Sequence, residues 1–117
     1  DGTSNLGSFN GTSGAYTALS DVNKKKDFED SEIGLKEVME LQPKLYRMKE
    51  DDEDTDKNLG FIAQEVKEFI PQAYVENEVN NDKYIGLNEM PIIAALVKSI
   101  QELKAEVDLL KQECKCK

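Results

Sequence analysis

The sequence predicts an α+β fold, a small domain of helices and short strands ending in a long carboxy-terminal helix. Three observations predict it. The composition changes at Ser20, from a Gly/Ser/Thr-rich arm over residues 1–19 to a charged, globular-type sequence over residues 20–117. Within the latter, Pro43, Pro71 and Asn80-Asn81-Asp82 divide the chain into short helix-like and strand-like runs. Finally, Ile93, Leu96, Ile100, Leu103, Val107, Leu110 and Cys114 follow one another at spacings of 3, 4, 3, 4, 3 and 4, the a/d seam of a coiled coil.

Taken in order, residues 1–19 hold four of the seven glycines, six Ser or Thr and one acidic residue, and read as a linker or as polar β-structure continuing from an upstream fibrous region. The sequon Asn10-Gly11-Thr12 is read as a chance match. Asp30 or Ser31 is expected to cap a helix running to about Leu41, with Leu35, Val38 and Met39 on one face and Pro43 ending it. Lys44 to Lys49 reads as a short strand. Glu50 to Asp54 are all acidic, and Asp52, Asp54 and Asp56 imitate the start of a calcium loop. Lys57 stands where that loop needs its turn glycine and Ala63 where it needs its closing glutamate, so the segment reads as a solvated hairpin loop and no metal site is expected.

Leu59 to Ile62 suggest a strand leading into a helix from Ala63 to Phe69, stopped by Pro71. Ala73 to Glu78 and Lys83 to Leu87 are expected to pair as a hairpin around Asn80-Asn81-Asp82. Asn88 is the expected cap of the last helix, with Pro91 tolerated in its first turn. In that helix Ile93, Ile100, Val107 and Cys114 take a positions, and Leu96, Leu103 and Leu110 take d. Glu106 falls at g and Lys111 at the following e, a pairing suited to parallel helices. Apolar residues surround the helix from Ile92 to Ile100, so this part can also pack on its own domain; from Leu103 to Leu110 the apolar stripe is predicted to bury against copies of itself. β-branched a residues with Leu at d lean towards a parallel dimer.

Composition excludes several functions. The 117 residues hold 15 Lys or Arg against 24 Asp or Glu, a net charge of −9 that repels a phosphate backbone, so no nucleic-acid partner is expected. Histidine is absent, which removes Ser-His-Asp and Cys-His catalysis and every His-ligated metal site. No run approaches the ~20 apolar residues of a membrane span, and the first residues lack the basic and apolar regions of a signal peptide, so the start is expected to be a cut from a longer polypeptide. Cys114 and Cys116 are expected to form a frayed, reduced tail. No cofactor motif occurs, and an apolar fraction of 38% supports a modest core that oligomerisation would assist.

One segment can carry chemistry: Ser20-Asp21-Val22-Asn23-Lys24-Lys25-Lys26, at the junction between arm and domain. Without histidine, a hydroxyl nucleophile needs lysine or carboxylate as its base. On a strand, Lys24 and Lys26 share the face of Ser20; in a helix, Lys24 is nearest. A Ser20–Lys25 pair therefore needs a turn between them, or a lysine from a neighbouring chain.

This segment resembles the entry motif of the intramolecular chaperone domains at the carboxy termini of phage tailspikes, tail fibres and neck appendages, the endosialidase-type, peptidase S74-like family. The family pattern of Ser-Asp, then Arg, then Lys corresponds here to Ser20, Asp21, Asn23 and Lys25, with Asn23 departing from the usual Arg. A Gly-(apolar)-Ile-Ala-Gln-Glu-Val motif follows as Gly60 to Val66, then a Tyr-containing strand and a long helix over Tyr84 to Leu110.

The resemblance implies a homotrimer, with Ile93, Leu96, Ile100, Leu103, Val107 and Leu110 in a parallel trimeric coiled coil over residues 89–113. It implies templated folding of the upstream stalk, of which residues 1–19 are the stub, by a chaperone domain over residues 20–117. It also implies one self-cleavage at Leu19–Ser20, with Ser20–Asp21 the alternative. Ser20 is then the nucleophile, Lys25 the general base and Asp21 an orienting or acidic helper, with no cofactor. The protein is expected to be a virion precursor acting in the host cytoplasm during assembly, its chaperone part released after cleavage. A non-catalytic trimerisation module at the end of a fibre or adhesin is the alternative.

Overall fold

The computed structural model describes residues 7–9 and 16–115, so the sequon at Asn10 and the thiol of Cys116 lie outside the described residues. The chain divides into two compact units, Asp1–Asp30 and Ser31–Lys117. In the first, β1 (Gly7–Phe9) and β2 (Tyr16–Ala18) pair antiparallel, with Gly7 opposite Ala18 and Phe9 opposite Tyr16. Of the linker or polar β-structure expected of the arm, the described residues show this one antiparallel strand pair. Residues 19–30 continue without regular structure apart from one turn over Val22–Lys24.

The second unit is a mixed α+β arrangement with two two-stranded antiparallel sheets and a long terminal helix. The expected helix from Asp30 or Ser31 to Leu41 is corrected to α1 (Leu35–Val38), four residues preceded by Gly34 at the cap position. Ser31 instead closes its own small turn, its Oγ accepting the Ile33 N–H at 3.1 Å. Tertiary contacts override the apolar spacing here. Gly34 is buried, and a Cβ on it would lie 1.9 Å from Glu102 Oε1 and 2.8 Å from Lys98 Cγ of the terminal helix. That close approach lets the Leu35 N–H donate to Glu102 Oε1 at 2.8 Å, across 67 residues of sequence. The Gly34 N–H donates to Glu37 Oε1 at 2.8 Å, a bond that holds the Glu37 carboxyl below its ordinary value.

A helix of four residues is too short to hold itself. Gly34→Ala is therefore expected to displace Glu102 from the Leu35 N–H and cost about 1–2 kcal/mol, read by urea unfolding.

Next, β3 (Lys44–Tyr46) and β4 (Asn58–Gly60) pair antiparallel, Lys44 opposite Gly60. The acidic run forms the connecting loop, as expected. Arg47 Nε donates to the Thr55 carbonyl at 2.6 Å and Asp51 Oδ2 accepts the Met48 N–H at 2.8 Å, which ties both ends of the loop down. Helix α2 (Ala63–Phe69) has the predicted bounds and is followed by a single 3-10 turn, Pro71–Ala73, because proline cannot donate to the preceding helix. Strands β5 (Tyr74–Val79) and β6 (Asp82–Leu87) form a hairpin closed by Asn80 and Asn81, both at positive φ, 51° and 69°. Two left-handed residues match the twist of the flanking strands, and asparagine tolerates that conformation.

Helix α3 (Glu89–Lys115) spans 27 residues and begins where Asn88 Oδ1 accepts the Met90 N–H at 3.4 Å. The core is small: Val66, Ile70, Ala73, Ile92 and Ala95 are buried, with Ile33, Val38, Leu41, Phe61, Phe69 and Leu87 packed against them. One face of α3, carrying Ile92, Ala95 and Ser99, thus belongs to its own unit. Among the described residues, no helix is long and apolar enough to cross a membrane.

Candidate functional site

The Ser20 segment is neither strand nor helix, so neither periodicity governs which lysine meets the serine. Asp21 sets its shape. The Asp21 carbonyl accepts the Lys24 N–H at 2.9 Å, closing a four-residue turn, and Asp21 Oδ1 accepts the Asn23 N–H at 2.9 Å. Aspartate at the first position of a turn makes this pair of bonds readily. The reversal carries Lys25 back over the turn, and its Nζ donates to Ser20 Oγ at 2.7 Å.

The Ser20–Lys25 pair thus forms within one chain, through a turn. Asp21 is not bonded to Lys25 or Ser20 but shapes the backbone between them. Leu19 to Asp30 are all exposed in the single chain. Farther on, Asp27 adopts a positive φ of 58°, a conformation in which aspartate is one of the more tolerant side chains.

Chemically, a hydroxyl in hydrogen-bond reach of an amine has the geometry of a nucleophile–base pair. As drawn by the 2.7 Å bond, the ammonium donates; the neutral amine would accept the hydroxyl proton instead. Lysine serves as a base when desolvated, and the pair has no cover within the described chain.

The second candidate surface is the a/d seam of α3. Ile93, Leu96, Leu103 and Val107 are exposed, and Ile100 and Leu110 are 67% and 60% exposed. Cys114, the last a residue, is a free, exposed thiol. The core-facing side of the helix and the seam are distinct faces, so packing on its own unit leaves the seam uncovered. Below Ile100 the flanks of the seam are charged, with Lys104 Nζ paired to Asp108 Oδ1 at 2.5 Å along the same helix. An exposed apolar stripe of this length is a candidate interaction surface.

Beside the head of the seam lies an open apolar groove of about 690 Å³ whose walls come from β3, β4, the start of α2, β6 and the first turns of α3. Sequence reasoning did not find this groove. Its lining residues are scattered over five elements, and only the fold brings Tyr46, Leu59, Ile62, Ile85 and Ile93 together.

Residues 20–74 match the Peptidase_S74 family model, described as chaperone of endosialidase. The match begins at the serine of the Ser20–Lys25 pair and takes in the Gly60 to Val66 motif at the β4–α2 junction. No curated protein matches the chain.

Proposed function

We propose, for a chain that carries a chaperone-of-endosialidase domain over residues 20–74, that it trimerises through α3, templates the folding of a phage fibre or appendage stalk, and then frees itself by cutting its own backbone at Leu19–Ser20. The observation that carries the cleavage is the 2.7 Å hydrogen bond between Lys25 Nζ and Ser20 Oγ, located at the first residues of the family match.

On this reading neutral Lys25 takes the Ser20 hydroxyl proton, and Oγ bonds to the Leu19 carbonyl carbon. Collapse breaks the Leu19–Ser20 C–N bond, and Lys25 returns the proton to the departing Ser20 amine. Water then hydrolyses the Leu19 ester, leaving a carboxyl on Leu19 and restoring the Ser20 hydroxyl. The exposed pair gains its desolvated lysine when neighbouring chains or the folded stalk cover it, which makes cleavage follow assembly. Nothing in this scheme requires a cofactor. The setting would be a virion precursor in the host cytoplasm.

Expression of a longer polypeptide, with the stalk ahead of residue 1, tests this reading. Two fragments on a denaturing gel, the second beginning at Ser20, are expected. A single uncut band from a folded, trimeric product supports the non-catalytic trimerisation module instead, a reading favoured by Asn23 standing in place of the family's Arg.

Asp21 acts through the turn. Asp21→Asn keeps a side-chain acceptor for the Asn23 N–H and is expected to cleave at close to the native rate. Asp21→Ala, which loses that acceptor, is expected to cleave about tenfold or more slowly, as a misplaced base does. Time courses of fragment appearance distinguish the two.

A further inference from the structure

We infer that the groove at the head of α3 is the seat for a second copy of this chain, which inserts the Met90 and Val97 side of its own α3. This rests on the proposed assembly through the seam and names the surface that joins the globular parts of neighbouring copies. The register of α3 carries the argument. With Ile93 at a, the e positions are Met90, Val97, Lys104 and Lys111, and the g positions are Ile92, Ser99, Glu106 and Glu113. Both flanks change character at the same level. Below Ile100 they are lysine at e and glutamate at g, the ordinary ion-pairing flanks of a parallel coil. Above it they are apolar at e, with Ile92 and the buried Ser99 at g.

Apolar e residues need an apolar surface on the neighbour, on its g flank. The groove lies on that flank: Ile92 and Ile93 of α3 line it together with Leu59, Ile62 and Ile85. Met90 and Val97 stand on the opposite flank, 59% and 49% exposed and outside the groove lining. Each chain therefore offers a groove on one side of its seam and a matching apolar edge on the other. Such a head-to-tail contact closes into a ring when copies are related by a rotation axis along the seam. Ile93 belongs to both surfaces, so helices zipped in register bring the edge of one copy to the groove of the next. A seam of about three heptads is short for a stable coil by itself, and the groove supplies the additional apolar burial.

Sedimentation equilibrium on the whole chain and three single variants tests the inference. Val97→Lys gives this e position the residue of the two that follow it and leaves the a/d seam intact. Leu59→Lys alters the groove at a residue 73% exposed, and far-UV circular dichroism melting checks that both variants remain folded. Leu109→Lys, exposed at a c position away from seam and groove, is the control. Each change adds positive charge to a chain of net −9, which by itself favours self-association.

Val97→Lys and Leu59→Lys are expected to weaken association at least tenfold and Leu109→Lys to leave it unchanged. Native association by Val97→Lys or Leu59→Lys, with the wild type assembled, overturns the inference while the seam reading stands. A wild type that remains monomeric overturns both.

Discussion

Ser20→Ala is expected to leave the extended polypeptide in one piece, and Lys25→Arg is expected to do the same while keeping the local hydrogen bond. The two substitutions remove different things. Alanine deletes the oxygen that would bond to the Leu19 carbonyl carbon, so no ester forms. Arginine still donates to Ser20 Oγ but does not give up its proton in a protein, so it holds the serine without activating it. Loss of a general base costs on the order of 10²–10⁴ in rate, enough to turn complete processing into an uncut band.

Because the pair is exposed and neither residue belongs to the buried core, both variants are expected to assemble and melt as the native chain does. The bond is made within one chain, so mixing Ser20→Ala chains with Lys25→Ala chains is expected to yield no cut product. Cleavage in the mixture would assign the base to a neighbouring copy.

Leu103→Asp carries the second large effect: the chain is expected to become monomeric while its globular part stays folded. Leu103 is a d residue half-exposed in the single chain and absent from the core of Val66, Ile70, Ala73, Ile92 and Ala95, so its loss leaves that core intact. In a parallel three-stranded seam the substitution removes roughly 1.5–3 kcal/mol of apolar burial per chain. It also brings three carboxylates to one level of the axis, where they repel and lose hydration. Monomeric chains with a native-like thermal transition are the expected outcome, measured by sedimentation and circular dichroism. In the extended polypeptide the same change is expected to suppress cleavage, since the Ser20–Lys25 pair then has no neighbour to cover it.

Much of this architecture is legible in the residues. The bounds of α2 follow from an apolar run closed by Pro71, the β5–β6 turn from Asn80-Asn81, and the seam from its 3-4 spacing. Each of these is a local signal. What was not legible depends on distant contacts. Helix α1 looks longer in the sequence because Leu35, Val38 and Met39 share a helical face. Its start is set instead by Glu102, 67 residues from Leu35, pressing on Gly34.

The Ser20 segment misleads differently, because helix and strand periodicity both favour Lys24 over Lys25. A turn initiated by Asp21 obeys neither period, and the aspartate was the one available sign of it. The two faces of α3 were readable in part: the apolar surround of Ile92 to Ile100 signalled packing on its own unit, but the groove beside it required the strands to be placed.

Sedimentation equilibrium of the unmodified chain over a wide concentration range tests the central claim most directly, that α3 gathers three copies. A single species with three times the chain mass is expected at micromolar concentration and above. A folded species that stays at the mass of one chain, or stops at two, contradicts it.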